Sequence, residues 1–420
     1  MKYILYLQGN NYTKYANLCY NSQKKEGACH MDIKRQEILP GVWMNILENP
    51  GSCAGISINF LTQLSREDAA FNAAIPYILC QGSKSLPSPE MIADKLSAMG
   101  GASLCPVVRK IGEVQSLGIL CTVPDGAHIA DMIRFAGQVI ADPATKGGLF
   151  LQDNVSAAAA ELEDILDAAD DPSADGYSIR ACAAGMCCYE DYSINEYGNA
   201  DDIRSINYVK ISKYYKEFIR RCPVEIILTG DIKAKKAASL LKDALCILPR
   251  GELDDEIGTD IRLNAVEDSA RTMNEELEDI APAAARGYRV GDWMDEPDPA
   301  VLEVFKELTG GYIDAAKGIL IICGSAFDPA AFAAELAADT LNHAKAAAAS
   351  KMAALLSNPA ELDSFILSQM LIGFDYSPDV MMELIKDVTA DDIAALCSSL
   401  ECDYIYTINF PEESNSNVSE

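Results

Sequence analysis

Tyr214-Tyr215-Lys216-Glu217-Phe218-Ile219-Arg220-Arg221-Cys222-Pro223-Val224-Glu225-Ile226-Ile227-Leu228-Thr229-Gly230-Asp231 reads as the end of an amphipathic helix, a proline break and a buried strand that stops at a glycine. The proline drives the residue before it out of the helical region, so helix and strand are separate elements. Asn207 stands where this helix begins, and its side-chain oxygen can accept the free amides of a first turn. The same order returns near the end of the chain. Val388-Thr389 precedes a helical stretch, and Cys402-Asp403-Tyr404-Ile405-Tyr406-Thr407-Ile408 follows it as a strand. Working outward, Gly287-Tyr288-Arg289-Val290 matches Gly55-Ile56-Ser57-Ile58, and Gly318-Ile319-Leu320 matches Gly118-Ile119-Leu120. The chain reads as a tandem duplication.

Between these anchors the periodicity predicts strands at 41–47, 55–60, 104–109 and 117–123, with helices over 67–79, 88–99, 126–140 and 155–168. Strands and helices mix without regular alternation, which predicts an α+β architecture: an antiparallel sheet with helices on one face. Residues 251–280 hold 11 acidic and 2 basic side chains, the composition of a solvated linker. The expected organisation is a polar, disordered extension over 1–30, a first domain over 31–250, an acidic linker over 251–282 and a second domain over 283–420. Gly82 to Gly118 spans 36 residues and Gly310 to Gly318 spans 8, so the second copy lacks about 28. The expected loss, between Gly311 and Tyr312, is the counterpart of the helix and strand at 84–112.

With 34 Lys and Arg against 63 Asp and Glu in 420 residues, the net charge is −29. Such a field opposes nucleic acid and anionic membranes, which are bound through clustered cations. Fourteen scattered Cys, no signal-peptide pattern and no apolar run near 20 residues predict a soluble, cytoplasmic protein.

Two such halves, with the specific stretches at 70–83, 170–198 and 214–231, resemble the insulinase/pitrilysin superfamily of zinc peptidases. The resemblance covers about residues 33–410, and within that superfamily the chain is similar to the short two-domain bacterial subunits that are not catalytic. Their role is similar to that of the alpha subunit of mitochondrial processing peptidase. The resemblance implies a repeated α+β fold whose copies face each other around a chamber. It also implies an active partner subunit carrying His-x-x-Glu-His, in which two His bind zinc and the Glu is the general base. That motif falls at 73–77, where this chain has Ala73-Ala74-Ile75-Pro76-Tyr77. The metal-binding positions are therefore Ala73 and Tyr77 and the base position is Pro76, so neither zinc nor any other cofactor is expected. The family's third ligand falls near 161–164, where acidic residues read as a solvated helix face. An Arg and a Tyr that hold substrate in the family belong in the shortened segment.

Elsewhere the signals are weak. His30, His128 and His343 are dispersed, and Cys182, Cys187 and Cys188 lack the second cysteine pair of a zinc site. Arg180 is the only local cation near those thiols. Gly100-Gly101 and Gly310-Gly311 lack phosphate-loop spacing and read as helix caps. The predicted function is an inactive peptidase homologue that pairs with an active zinc peptidase subunit and helps bind peptides. The alternative is a scaffold that keeps the fold without proteolysis.

Overall fold

The computed structural model describes residues 2–4 and 32–409, apart from positions 50, 52, 255, 268, 279, 291–298 and 325–326. The extension expected at 1–30, His30 included, lies outside the described residues except for Lys2–Ile4, which pair antiparallel with Gly258–Asp260.

The first half runs β1 (Ile33–Leu39), β2 (Val42–Glu48), β3 (Ala54–Gln63), α1 (Ala69–Cys80), α2 (Pro89–Ala98), β4 (Ser103–Ile111) and β5 (Val114–Val123). It continues through α3 (Ile129–Ala141), α4 (Gln152–Ala169), α5 (Tyr177–Met186), α6 (Ala200–Ser205), α7 (Tyr208–Arg221), β6 (Val224–Gly230) and α8 (Ala234–Leu245). Its sheet has the order β1-β2-β6-β3-β5-β4. Neighbours are antiparallel except β2 and β6. The crossover from β2 to β6 is the long one that carries nearly all the helices.

The second half runs β7 (Arg271–Glu276), β8 (Ala283–Arg289), α9 (Pro299–Thr309), β9 (Tyr312–Asp314) and β10 (Ile319–Cys323). After α10 (Pro329–Glu335), α11 (Ala338–Leu355), α12 (Pro359–Leu371), α13 (Pro378–Asp387) and α14 (Ala390–Ser399) it closes with β11 (Glu401–Asn409). Its order, β7-β11-β8-β10-β9, is that of the first sheet without β1, including the one parallel pair, β7 with β11. Asn207 caps α7 through the amides of Val209 and Lys210, and Thr389 caps α14 in a reciprocal box with Asp392. The capping positions inferred from sequence are those that start the two closing units.

Several expectations need correction. The strand thought missing from the second half survives as the three residues of β9; the element without a counterpart is α2, because Gly310-Gly311 alone joins α9 to β9. Part of the expected linker, 271–276, is the edge strand β7. The pairing of Gly118-Ile119 with Gly318-Ile319 is out by one residue. Ile119 packs into the helical core, whereas in the second half Leu320 and Ile322 do so and Ile319 points to the other face. A strand has period two, so a slip of one exchanges its faces.

Helices cover both faces of each sheet rather than one. The central strands are apolar on both sides: Ile56, Ile58 and Phe60 face the first half's own helices, while Leu47, Leu61 and Ile227 look the other way, all nearly fully buried. The cover for that second face comes from the other half. Helix α12 lies on β3 and β6, and its repeat partner α5 lies on β8, β10 and β11. Each half thus lends one helix to the sheet of the other.

Candidate functional site

Helix α1 packs on β4 and β5 and against α4, with every side chain from Asn72 through Leu79 buried. The 73–77 window offers no imidazole and no carboxylate, only Ala73, Ala74, Ile75, Pro76 and Tyr77. Pro76 lies in the helix interior without ending it, so the carbonyl of Asn72 loses its usual amide donor. Neutral hydrogen bonds occupy the surrounding space. Asn72 donates to Gln115 Oε1 (2.9 Å) and accepts from the Tyr214 hydroxyl (2.7 Å), and Gln115 in turn donates to the carbonyls of Ala69 (3.1 Å) and Glu196 (2.6 Å). Burial, reinforced by Tyr197 and the charge of Glu161, pushes the Tyr77 phenol well up. Burial does the same to the Cys80 thiol.

Glu161 on α4 therefore stands beside α1, where the family resemblance places the third ligand, but it faces a phenol and a thiol rather than imidazoles. Among the described residues, no group of three or more His, Cys, Asp and Glu is arranged to hold a metal ion. The thiols of Cys182 and Cys187 are buried under the second sheet and pushed up to about 12 by desolvation. Arg180 does not serve them, because it donates to the carbonyls of Ala169 and Asp175. The cation near Cys188 is Arg271, 3.5 Å from its Sγ and 83 positions away in sequence.

The sequence reading missed a second centre, where the hairpins β4–β5 and β9–β10 meet. Lys317, from the β9–β10 turn, is fully buried and reaches Glu113 of the β4–β5 turn (2.5 Å) and Glu190 (2.7 Å). Glu190 also accepts from Arg289 (2.9 Å), itself fully buried and paired with Asp403 (2.9 Å). Burial alone would raise the Glu190 carboxyl, but the hydrogen bond from Lys317 and the charge of Arg289 outweigh it and hold the group below the usual carboxylate range. A Cβ on Gly112, whose φ is +57°, would lie 2.2 Å from Thr259 Oγ1 and 3.1 Å from the Ala316 methyl, so the tips touch closely. No local motif marks these residues, since they come from turns and strand ends far apart in the chain.

Beside this junction α12 is pinned to the first sheet. Asp363 accepts from the Ser57 hydroxyl and from Arg109 (2.6 Å), and Arg109 also reaches Asn59 (3.3 Å). Next to α12 lies an open cleft of about 580 Å³, bounded by α9, β9, α11, α12 and the end of β4.

Comparison with known proteins places these observations in a wider frame. No protein-family model matches the chain. It is similar to the "probable inactive metalloprotease YmfF" of Bacillus subtilis, 20% identical over 267 residues, which is 60% of this chain and 60% of that protein's length. The chain therefore matches less than two thirds of that curated relative. Among solved structures, a conserved protein of Enterococcus faecalis superposes with a TM-score of 0.75 at 17% identity, over 91% of this chain and all of that one. A "peptidase M16 inactive domain" of Pseudomonas fluorescens gives a TM-score of 0.66 at 14% identity, over 90% and 98% of the two chains. At these identities the structural likeness speaks for the fold. No helix among the described residues is long and apolar enough to cross a membrane.

Proposed function

We propose that this chain, which has the fold of the insulinase/pitrilysin zinc peptidases, is a catalytically inactive subunit that pairs with an active His-x-x-Glu-His subunit and helps bind its peptide substrates. One observation carries the reading: the helix that must supply two imidazoles and a base instead presents Ala73, Pro76 and Tyr77 in a packed, hydrogen-bonded core. A divalent zinc needs about four donors around it, and the water it activates needs a neighbouring base. Neither requirement is met at 73–77. The inactivity named for the Bacillus relative and the Pseudomonas domain supports the same assignment. We place the pair in the bacterial cytoplasm, in keeping with the free thiols at all the described cysteines.

The test is purification of the tagged chain from its native host. The expected result is co-purification of a His-x-x-Glu-His subunit, with peptidase activity that a zinc chelator abolishes and that neither subunit shows alone. Purification without such a partner, or chelator-sensitive cleavage by this chain alone, overturns the proposal. The −29 net charge predicts that the reconstituted pair prefers basic peptides, and that the preference shrinks as salt screens the field. A second reading, a docking scaffold without proteolysis, draws on the cleft beside α12. Association with proteins that carry no peptidase motif would favour it.

A further inference from the structure

Helix α7 reverses the charge of the chain around it. It carries five cations and one anion in a molecule whose net charge is −29. Its buried side, with Ile211, Tyr215, Phe218 and Ile219, packs into the first core. Val209, Lys213, Lys216 and Arg220 recur at i, i+4, i+7 and i+11, which places all four in one exposed stripe. Val209 leaves 47% of its surface to solvent.

Beside this stripe opens a second cleft, of about 480 Å³, between α7, the end of α3 and a short hairpin of Thr145–Lys146 with Leu149–Phe150. Phe150 and Tyr215, with ring centroids 5.1 Å apart, join Ile219, Pro143 and Pro249 in its apolar lining. Lys216 and Arg220 also line it, and a Cβ on Gly148 would lie 3.4 Å from Lys216 Nζ, so this ammonium leans over the hairpin. Ile247, two residues before Pro249, is 60% exposed. Lys213, Lys216 and Arg220 have no ion pair among the described residues, although the chain holds 63 acidic side chains against 34 basic ones. Other exposed cations meet carboxylates, as Arg204 does with Glu163 and Lys351 with Glu307. Glu217 is the one carboxylate of α7 and of the cleft lining. Exposed apolar side chains beside unmatched cations are the composition of an interface.

We propose that this face docks an acidic helix of another protein, with carboxylates on Lys213, Lys216 and Arg220 and one large apolar side chain in the cleft. The three cations span seven residues of helix, about 10 Å, which matches carboxylates at i, i+4 and i+7 on a helix lying alongside. The shortness of the stripe decides against nucleic acid and anionic membranes, which would run past it onto acidic surface. A second copy brings a charge of −29 of its own and is repelled more strongly than a short acidic helix. The stripe occupies a different side of α7 from Tyr214, which reaches Asn72 beside the 73–77 window. The inference therefore goes beyond the paired-subunit reading and does not depend on it.

The test is fluorescence anisotropy of the full chain with a labelled helical peptide carrying glutamates at i, i+4 and i+7 beside one tryptophan. This peptide is expected to bind, more weakly as salt rises, and its lysine analogue is expected not to. Replacing the peptide's tryptophan with alanine should weaken binding about tenfold. The double variant Lys216→Glu with Arg220→Glu should weaken it about hundredfold while the melting temperature stays near wild type, because both side chains are exposed. Arg66→Glu with Lys386→Glu makes the same change of charge at exposed positions elsewhere and should leave binding nearly unchanged. No binding by the wild type, equal binding of the two peptides, or equal weakening by the two double variants overturns the proposal. Self-association of the wild type that Lys216→Glu with Arg220→Glu removes would assign the face to a second copy and overturn it as well.

Discussion

Lys317 has no solvent exposure and meets two carboxylates at its ammonium, so its value depends on all of its partners being present. Replacing it with Met leaves Glu113 buried without its cation and takes from Glu190 one of the cations it shares with Arg289, a change that costs about 3–5 kcal/mol. Urea denaturation should show this as a lower midpoint with an unchanged slope. The same carboxylate predicts a pH signature. The folded Glu190 is held below its ordinary range, so its contribution is complete above the unfolded pKa and is lost as pH falls through the folded one. The stability gap between wild type and Glu190→Gln should therefore be full above about pH 5 and should close below the usual carboxylate range. A gap independent of pH between 3 and 6 would count against the clamp. Gly112 shows the limit of such reasoning from charge alone, because what holds the two hairpin tips together is also a close approach that only glycine permits.

Helix α1 keeps its place despite Pro76 because its burial against β4, β5 and α4 outweighs a missing backbone hydrogen bond. An interior proline costs about 3 kcal/mol relative to Ala, part of which a Pro76→Ala variant recovers after the loss of buried ring atoms. The variant should be more stable by about 1–2 kcal/mol on this balance, read from its urea midpoint. At α12 the decisive contacts are polar. Asp363 joins Ser57 and Arg109 under a helix whose apolar side meets Leu61 and Ile227. Truncating Asp363 to Ala leaves Arg109 part-buried without its anion, and about 3 kcal/mol should be lost. Amide exchange should then speed up in α12 and β3 before it does in α14, because α12 is the element released.

The two halves are interdigitated, since α5 and α12 each complete the core of the other half. A fragment ending at residue 250 keeps its sheet but exposes the face formed by Leu47, Leu61, Ile111 and Ile227, an apolar patch that promotes association. That fragment should aggregate or bind a hydrophobic dye, and co-expression with residues 251–420 should restore solubility. Independent, soluble folding of both fragments would show that the exchanged helices are accessory. The exchange also alters the expectation of a chamber between the two copies, because the face of each sheet that its own helices leave open is filled by a helix of the other half. Open space lies instead along α12, in the cleft bounded by α9, β9 and α11.

The duplication was legible from sequence because it rests on local signals: Asn207 and Thr389 as caps, the Cys222-Pro223 break and strands of alternating apolar residues. Those features depend on neighbours within a few residues, and local chemistry is enough to read them. The register between repeats was not legible to one residue, since glycines such as Gly118 and Gly318 serve different faces in the two copies. The strand left in the shortened half was too brief for periodicity to reveal. The clamp of Lys317, Glu113, Glu190 and Arg289, the exchange of α5 and α12, and the cleft along α12 depend on which distant segments meet. Long-range pairing is set by the packing of whole sheets and helices, so only the tertiary structure decided it.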